Sequence, residues 1–368
     1  MGSIVNTQDS RPLLLVTSFP GDGHTGPLLR VAADLVQRGW DVAYLAASQY
    51  EPKIRAMGAE FFEAPDPFTP AKFAELGSQR DIPVGPRRYA HTIGCVFLDD
   101  LPARTETLQE TLEVLRARDL GRQIVVVEDG PNMASVPWRP CPLIMQSVDC
   151  APTPLGLPPD TSDSGRLRNA ALNQLINDGP FKKLHEKRDA VFRSLGCTLE
   201  YDLSDKPSTV GFAGCLPRPP LGKDLAYPPW WSEVTNKGES GKKVVFVTQG
   251  TVNTDPEDLI LPTVQGLADR DDVLVIVVLG SRGATLDVSR LPAHARTEEK
   301  AEVAERGSVA GFAVNLRTQT PGAAAVRGAV DKVLADGRYK RRALELMAEN
   351  EGMDSLGVIE ERILWMIK

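Results

Sequence analysis

One histidine lies in a glycine-rich segment placed where catalytic loops of α/β proteins occur. His24 belongs to the hexapeptide GDGHTG at Gly21–Gly26, which follows a short apolar run and precedes a stretch with helical periodicity. Ligands of open α/β sheets bind at the carboxyl ends of the strands, and imidazole accepts a proton near neutral pH. His24 is therefore well placed to accept a proton. The alternative is a helix-capping or simply exposed loop histidine.

The same six residues match the spacing GxGxxG of dinucleotide-binding loops. That fingerprint needs an acidic residue at the end of the second strand to bind the ribose. Here the second predicted strand ends in AASQ at Ala46–Gln49, and Asp41 lies at its other end. His24 also places an imidazole where a pyrophosphate needs bare backbone. An NAD(P)-dependent oxidoreductase that uses this motif remains an alternative, which the context disfavours.

The surrounding pattern predicts a parallel α/β sheet in the first half of the chain. A strand over Arg11–Ser18, a helix after Pro27 and a strand over Asp41–Ala47 make one βαβ unit, and Arg38 and Gly39 indicate the end of its helix. Apolar patterns predict further elements, namely strands at Ala59–Glu63, Ile124–Glu128 and Pro142–Gln146 and a helix at Thr105–Arg118.

A second α/β pattern begins after a proline-rich stretch. Residues 216–241 have the composition of an interdomain linker, so we predict one domain at residues 1–215 and another at residues 242–368. Its predicted elements are strands at Lys242–Gln249, Asp272–Gly280 and Phe312–Leu316, helices at Pro256–Ala268 and Thr297–Arg306, and helices from Pro321 onward. This is few strands for roughly 125 residues, because a doubly wound domain usually has five or six.

Composition and charge exclude several classes of protein. The chain has 368 residues, 42% hydrophobic and 25% charged, which is typical of a folded protein of about two domains. Its formal net charge is −7 and it has no basic block, so we expect no nucleic-acid partner. Its apolar runs are too short for a membrane span and no signal peptide is indicated, which predicts a cytoplasmic protein. We also expect a monomer or a weak homodimer. Five scattered cysteines predict reduced thiols rather than a metal site.

Several motifs in both halves occur in the order found in one enzyme family. They are GDGH at Gly21–His24 followed by Pro27, RGWDV at Arg38–Val42, MGAEF at Met57–Phe61, GFAGCLP at Gly211–Pro217, VFVTQGT at Val245–Thr251, and the segment Thr297–Thr318. The chain thereby resembles the family 1 UDP-glycosyltransferases, most closely the fungal and bacterial members similar to macrolide glycosyltransferases.

The resemblance implies a GT-B fold of two Rossmann-like domains. It also implies transfer of a hexose, with inversion, from a UDP-sugar to a hydroxyl of a small hydrophobic acceptor, a reaction of secondary metabolism. The UDP-sugar is a co-substrate, and neither a cofactor nor a metal is implied, because helix dipoles and side chains offset the charge of the leaving diphosphate.

The resemblance also assigns roles to two residues of the first domain. It makes His24 the base and Asp129, directly after the predicted strand Ile124–Glu128, its partner. A carboxylate bonded to the far ring nitrogen fixes the tautomer and stabilises the imidazolium that forms. The alternative for Asp129 is a turn or helix-capping aspartate, since Gly130 and Pro131 follow it.

On the donor side, the resemblance assigns the diphosphate to Gln249, Gly250 and Thr251, which lie between a predicted strand and helix. It assigns the sugar hydroxyls to Glu299 and Lys300. The alternative for Glu299 and Lys300 is an ordinary solvated helix start, where the helix dipole favours acids.

One part of the family pattern is missing. About 40 residues, the size of one βαβ unit, are absent between Arg296 and Thr297, and they include the family's diphosphate-binding histidine and nucleoside-binding residues. His294, which precedes the gap, is not assigned that role. We therefore expect an internally truncated second domain and impaired transfer. The alternative is an inactive remnant that binds small apolar ligands.

Overall fold

The computed structural model describes residues 11–66, 72, 82–83, 85–135, 155, 157, 160–197, 213–217, 231–235, 241–248, 256–279, 307–308, 310–316, 318 and 321–367. The chain divides into two units, one of residues 1–155, 159–218 and 352–368 and the other of residues 156–158 and 219–351. Each unit contains a parallel sheet and helices, so the predicted α/β class is confirmed.

The first unit is built on a four-stranded parallel sheet. Its strands are ordered β3-β2-β1-β4, where β1 is Leu13–Thr17, β2 is Val42–Ala46, β3 is Glu60–Glu63 and β4 is Ile124–Glu128. All four lie within the strands that the sequence pattern predicts. The two central strands, β1 and β2, are almost wholly buried, which explains their continuous apolar sequence.

Helices cover both faces of this sheet. The α-helices of the first part of the unit are α1 (Asp22–Gln37), α2 (Glu51–Ala56), α3 (Pro86–Ile93), α4 (Leu101–Arg118), α5 (Asp163–Asp178) and α6 (Lys182–Ser194). A π-helical turn, Gly94–Leu98, joins α3 to the segment before α4. Val31 and Leu35 of α1 pack on one face of β1, at Leu14, while Leu108 of α4 packs on the other face, at Leu15.

Two helices begin earlier than the periodicity predicts. The helix α1 begins at Asp22 and includes Pro27, whose missing N–H removes the helical partner of the Gly23 carbonyl. The helix α4 begins at Leu101, four residues before Thr105, and has a proline in its first turn. The first turn of α1, Asp22–Thr25, contains no apolar residue, so periodicity does not detect it. The helix α4 instead begins with Leu101, which is buried at the same helical spacing as Leu108 and Leu115. The predicted end of α1 is confirmed, because Gly39 has a φ of +82° and donates to the Val36 carbonyl.

The second unit contains one pair of parallel strands in its described part. These are β5 (Lys243–Thr248) and β6 (Val273–Val278), and the helices are α7 (Trp231–Thr235), α8 (Ile260–Gly266), α9 (Ala323–Ala335) and α10 (Gly337–Glu351). The helix predicted at Pro256–Ala268 is shorter than expected, because it spans only Ile260–Gly266.

The helices α8 and α9 approach each other closely at Gly266. A Cβ at this position would lie 2.4 Å from the carbonyl oxygen of Ala323, where α9 begins, so there is no room for a side chain.

The predicted strand Phe312–Leu316 is wrong. These residues form a turn and loop, and the backbone N–H groups of Phe312 and Ala313 both donate to the Gly307 carbonyl instead of to a neighbouring strand. The strand predicted at Pro142–Gln146 and the helix predicted at Thr297–Arg306 lie outside the described residues.

The end of the chain belongs to the first unit, whereas the sequence analysis assigns it to the second domain. The last helix, α11 (Ser355–Met366), packs Leu356 and Ile363 into the same core as α1. Glu360 accepts hydrogen bonds from the indole Nε1 of Trp40 (2.7 Å) and from Nη1 of Arg38 (2.9 Å). Helices α1 and α11 are thus joined by one carboxylate. None of the helices in the described ranges is long and apolar enough to cross a membrane.

Glu360 gives the first prediction. Hydrogen bonding by the Trp40 indole, and then by Arg38, lowers the pKa of the Glu360 carboxyl, so its ionised form stabilises the folded state. That contribution is present above the ordinary glutamate pKa and is lost as the pH falls through the lowered value. We expect Glu360→Gln to reduce the free energy of unfolding by about 1 kcal/mol near neutral pH, and the difference to vanish in acid.

Urea unfolding at several pH values measures this effect. Glu361→Gln, an exposed neighbour on α11, is the control for loss of one negative charge. An equal effect of the two substitutions would contradict the specific role of Glu360.

Candidate active site

The candidate site forms where β1 and β4 end side by side. Thr17 and Glu128, the last residues of the two strands, are aligned in the parallel register, and the Asp129 N–H donates to the Thr17 carbonyl (3.1 Å). The chain after β1 turns at Gly21 into α1, so His24 lies in the first turn of that helix. Asp129 directly follows β4, which brings the two loops to the same edge of the sheet.

The structure brings His24 and Asp129 together. The Nδ1 atom of His24 lies 3.0 Å from Oδ2 of Asp129, with 32% of the imidazole and 15% of the carboxylate side chain exposed. Oδ2 is buried and, within the described part of the chain, accepts no hydrogen bond of good geometry. Catalytic hydrogen bonds are often misaligned before substrate binds. This arrangement leaves Nε2, on the other side of the ring, to accept a proton.

Two phenyl rings border the imidazole. The ring centroid of Phe19 lies 5.4 Å from that of His24, and the centroid of Phe97, from the π-helical turn, lies 6.0 Å from it. Both contacts are edge-on, and the two phenyl rings are 4.7 Å apart. Edge-on aromatic packing is favourable and directional, so these rings restrict the orientation of His24.

The first turn of α1 is held by buried hydroxyl groups. The Ser18 hydroxyl donates to Oγ1 of Thr25 (3.0 Å), which donates to the Phe19 carbonyl (3.1 Å), and Tyr44 on β2 donates to Ser18 (3.3 Å). Burial raises the pKa of the Tyr44 phenol, so it remains a donor at physiological pH. These hydroxyls connect the turn that carries His24 to the two central strands.

The loop after β4 is held by a buried carboxamide. Nδ2 of Asn132 donates to Oγ1 of Thr17 (3.1 Å) and to Oε1 of Glu128 (3.0 Å), and the Asn132 N–H donates to the Asp129 carbonyl (2.9 Å). Glu128 also accepts from the hydroxyl and the N–H of Ser135. Met133 has a φ of +53°, a left-handed conformation uncommon for residues other than glycine. The loop that carries Asp129 therefore has a specific, partly strained shape.

Sequence reasoning does not find these supporting residues. Thr17, Ser18, Thr25 and Asn132 form no motif along the chain, and Tyr44 looks like an ordinary strand residue. The one available signal is the pair Thr17-Ser18, where hydroxyls interrupt the end of an apolar strand.

The glycine motif does not form a phosphate-binding loop of the dinucleotide type. Gly21 is the residue before α1, while Gly23 and Gly26 lie inside the helix. The N–H groups of His24 and Thr25 are already bonded to the Gly21 carbonyl. A pyrophosphate needs free N–H groups at a helix start, so this geometry disfavours the dinucleotide interpretation.

The predicted donor-binding residues Gln249, Gly250, Thr251, Glu299 and Lys300 all lie outside the described residues. Strand β5 ends at Thr248, directly before the first of them. Over the described part of the chain, no group of three or more His, Cys, Asp or Glu side chains is arranged to hold a metal ion.

Comparison with known proteins identifies the family, although no protein-family model matches the chain. The chain is 31% identical to UDP-glucosyltransferase 1 of Beauveria bassiana (strain ARSEF 2860), over 98% of this chain and 97% of that protein. It is 30% identical to UDP-glycosyltransferase 2 of Phaeomoniella chlamydospora, over 96% of this chain and 95% of that protein. The chain belongs to the UDP-glycosyltransferases.

Solved structures agree with the family at the level of fold. This UDP-glycosyltransferase matches the crystal structure of the glycotransferase of kitacinnamycin with a TM-score of 0.58 and 17% identity, over 96% of this chain and all of that one. It matches the calicheamicin glycosyltransferase CalG4 with a TM-score of 0.53 and 15% identity, over 96% of this chain and 97% of that one. The expected GT-B fold of two Rossmann-like domains is thereby confirmed, and the oxidoreductase alternative is not favoured.

The alignments also show that this UDP-glycosyltransferase is short. The alignment with the Beauveria bassiana enzyme spans 453 positions and that with the Phaeomoniella chlamydospora enzyme spans 440, whereas the chain has 368 residues. Many positions of these relatives therefore have no counterpart in this chain.

Glu128 gives a second prediction. Burial raises the pKa of its carboxyl above the ordinary glutamate value of 4.5, although hydrogen bonds from Ser135 and Asn132 act in the opposite direction. A raised pKa means that the folded state binds the proton more tightly, so stability is lost as the pH rises through the folded-state value. We expect Glu128→Gln to remove that loss, so that its stability relative to the unmodified protein rises with pH.

Thermal unfolding between acid and neutral pH, followed by circular dichroism, measures the effect. Glu110→Gln, exposed on α4, removes the same charge without changing a buried group. Parallel pH profiles for the Glu128→Gln variant and the unmodified protein would contradict the prediction.

Proposed function

We propose that this UDP-glycosyltransferase transfers a hexose, with inversion, from a UDP-sugar to a hydroxyl of a small hydrophobic acceptor. His24 is the base that removes the hydroxyl proton, and Asp129 orients its imidazole. The observation that carries the proposal is the 3.0 Å separation of Nδ1 of His24 and Oδ2 of Asp129 at the ends of two adjacent strands.

The chemistry requires one base and one leaving group. The acceptor oxygen loses its proton to Nε2 of His24 and forms a bond to the anomeric carbon of the sugar. The bond from that carbon to the diphosphate breaks at the same time, and UDP leaves with the electron pair. A single displacement inverts the anomeric configuration. Asp129 stabilises the imidazolium, as the aspartate of a Ser-His-Asp triad does.

The proposed substrates follow from the relatives and from the surroundings of His24. Phe19 and Phe97 make one side of the imidazole apolar, which suits a hydrophobic acceptor. One solved structure with the same fold, of the spinosyn rhamnosyltransferase SpnG (TM-score 0.51), is a complex with spinosyn aglycone. We assign the donor to Gln249, Gly250, Thr251, Glu299 and Lys300 of the second domain, in a cytoplasmic protein that is a monomer or weak homodimer.

A second candidate function is that of an inactive remnant that binds small apolar ligands. It is favoured by the length of the chain, which is shorter than its alignments with relatives. Phe246 on β5 is 61% exposed and Val278 on β6 is 44% exposed. Strands of intact α/β domains are usually covered, so an uncovered apolar strand supports the loss of a unit between Arg296 and Thr297.

Replacement of the base tests the proposed mechanism. We expect His24→Ala to reduce transfer by about 100- to 10,000-fold, because general base catalysis contributes that much. Binding of UDP-glucose should be unchanged, since the imidazole acts on the acceptor. His91→Ala, on the exposed face of α3, is the matched control. Transfer by the His24→Ala variant at the rate of the unmodified enzyme would exclude His24 as the base.

Donor binding separates the active enzyme from the remnant. After a cooperative melt has shown that the protein is folded, UDP-glucose is titrated into it in a calorimeter. We expect saturable binding with a Kd on the order of micromolar for an enzyme, a range common for enzyme substrates. A folded protein that gives no heat of binding would establish that the missing segment is essential and would favour the remnant.

A further inference from the structure

One buried arginine beside the candidate site has no role in the proposed mechanism. Arg104 lies on α4 with 4% of its surface exposed, and burial lowers the pKa of its guanidinium to about 10. It remains charged at physiological pH. Among the described residues it forms no direct ion pair, although the carboxyl groups of Asp100 and Glu128 favour its charged form. Its Nη1 atom is buried without a hydrogen-bond partner. Burying a charged group without an ion pair costs folding free energy. The contacts of the guanidinium must therefore explain why it is there.

The guanidinium contacts three separate segments. Its Nη2 donates to the carbonyl of Phe97 in the π-helical turn (2.6 Å), and its Nε donates to the carbonyl of Asn132 in the loop after β4 (3.2 Å). Its Cζ lies 5.1 Å from the ring centroid of Phe19, in the loop after β1. Two carbonyls and a ring face are thus held by one planar group, a geometry that the guanidinium fork allows and an ammonium does not.

Each of these segments also contacts one member of the His24–Asp129 pair. The rings of Phe97 and Phe19 border the imidazole of His24. The N–H of Asn132 donates to the carbonyl of Asp129 (2.9 Å). Arg104 is therefore linked to His24 through Phe97 and Phe19 and to Asp129 through Asn132. None of the contacts that the structure describes joins Arg104 directly to His24 or Asp129.

We propose that Arg104 is a positioning residue for glycosyl transfer, which holds the imidazole of His24 against Asp129 through Phe97, Phe19 and Asn132. The inference rests on the proposed function of the pair. Arg104 does not contact the substrate in this role. It sets the ring orientation and with it the tautomer, in which Nδ1 carries the proton and Nε2 is free to act as base.

The chain has only four histidines, which makes the ring of His24 directly observable. The protein is labelled with ¹⁵N in the histidine rings, and the Nδ1 and Nε2 resonances report the tautomer. His24→Gln identifies the His24 signals, and Asp129→Asn shows the signature of an imidazole without its partner. In the unmodified enzyme we expect a single tautomer with the proton on Nδ1.

The test compares Arg104→Lys, Arg104→Met and Phe97→Leu. We expect all three to shift the His24 signals towards those of the Asp129→Asn variant. Phe97→Leu breaks one path without leaving a buried carbonyl unpaired, so it tests whether that path orients the ring even where an Arg104 variant does not fold. Arg116→Met, exposed on the same helix, should leave the signals unchanged. Folded variants with the ring signature of the unmodified enzyme would overturn the proposal.

Kinetics give an independent readout in an active preparation. We expect Arg104→Lys to lower kcat about 100-fold, a typical effect of misplaced catalytic groups, with the KM for UDP-glucose unchanged. A merely structural role would lower the amount of folded enzyme and leave kcat per folded molecule intact. Absence of transfer in the unmodified enzyme would contradict the proposed activity, and the ring signature would still decide the role of Arg104.

Discussion

The parallel pairing of β1 with β4 is the constraint on which the candidate site depends. The register that aligns Thr17 with Glu128 places the loop after each strand at the same edge of the sheet. This register brings His24 and Asp129, which are far apart along the chain, to the same place. A slip of one residue would turn the side chains of β4 to the opposite face and separate Asn132 from Thr17. The chemistry of the first unit therefore rests on backbone hydrogen bonds between two short apolar strands.

Residues around His24 and Asp129 lower the stability of the folded state while they hold the two side chains in place. Glu128 has a raised pKa and Arg104 a lowered one, both because burial disfavours their charged forms. Met133 is held in a left-handed conformation in the same loop. Each of these features costs folding free energy. Glu128 and Met133 lie in the strand and loop on either side of Asp129, and Arg104 contacts residues that border the pair. Such concentrations of buried polar groups and local strain are characteristic of functional sites.

The last helix shows how the first unit completes its core. Helix α11 packs Leu356 and Ile363 against the same cluster as α1, and Glu360 joins it to Trp40 and Arg38. A segment that comes after the whole second unit in the sequence thus stabilises the helix that carries His24. The second unit, in its described part, has one pair of parallel strands, β5 and β6.

Sequence alone was sufficient for the class of fold, the strands β1 to β6 and the meeting of His24 and Asp129, because apolar runs predict buried strands and the family motifs resemble an enzyme site. It was insufficient for the segment Phe312–Leu316, where the N–H groups of Phe312 and Ala313 bond to Gly307 instead of to a strand, and for the early start of α1, where no apolar residue marks the first turn. It did not indicate Arg104, Asn132 or Tyr44 either. These residues acquire their roles from neighbours that are distant in the chain, through burial and hydrogen bonds that only the tertiary structure creates.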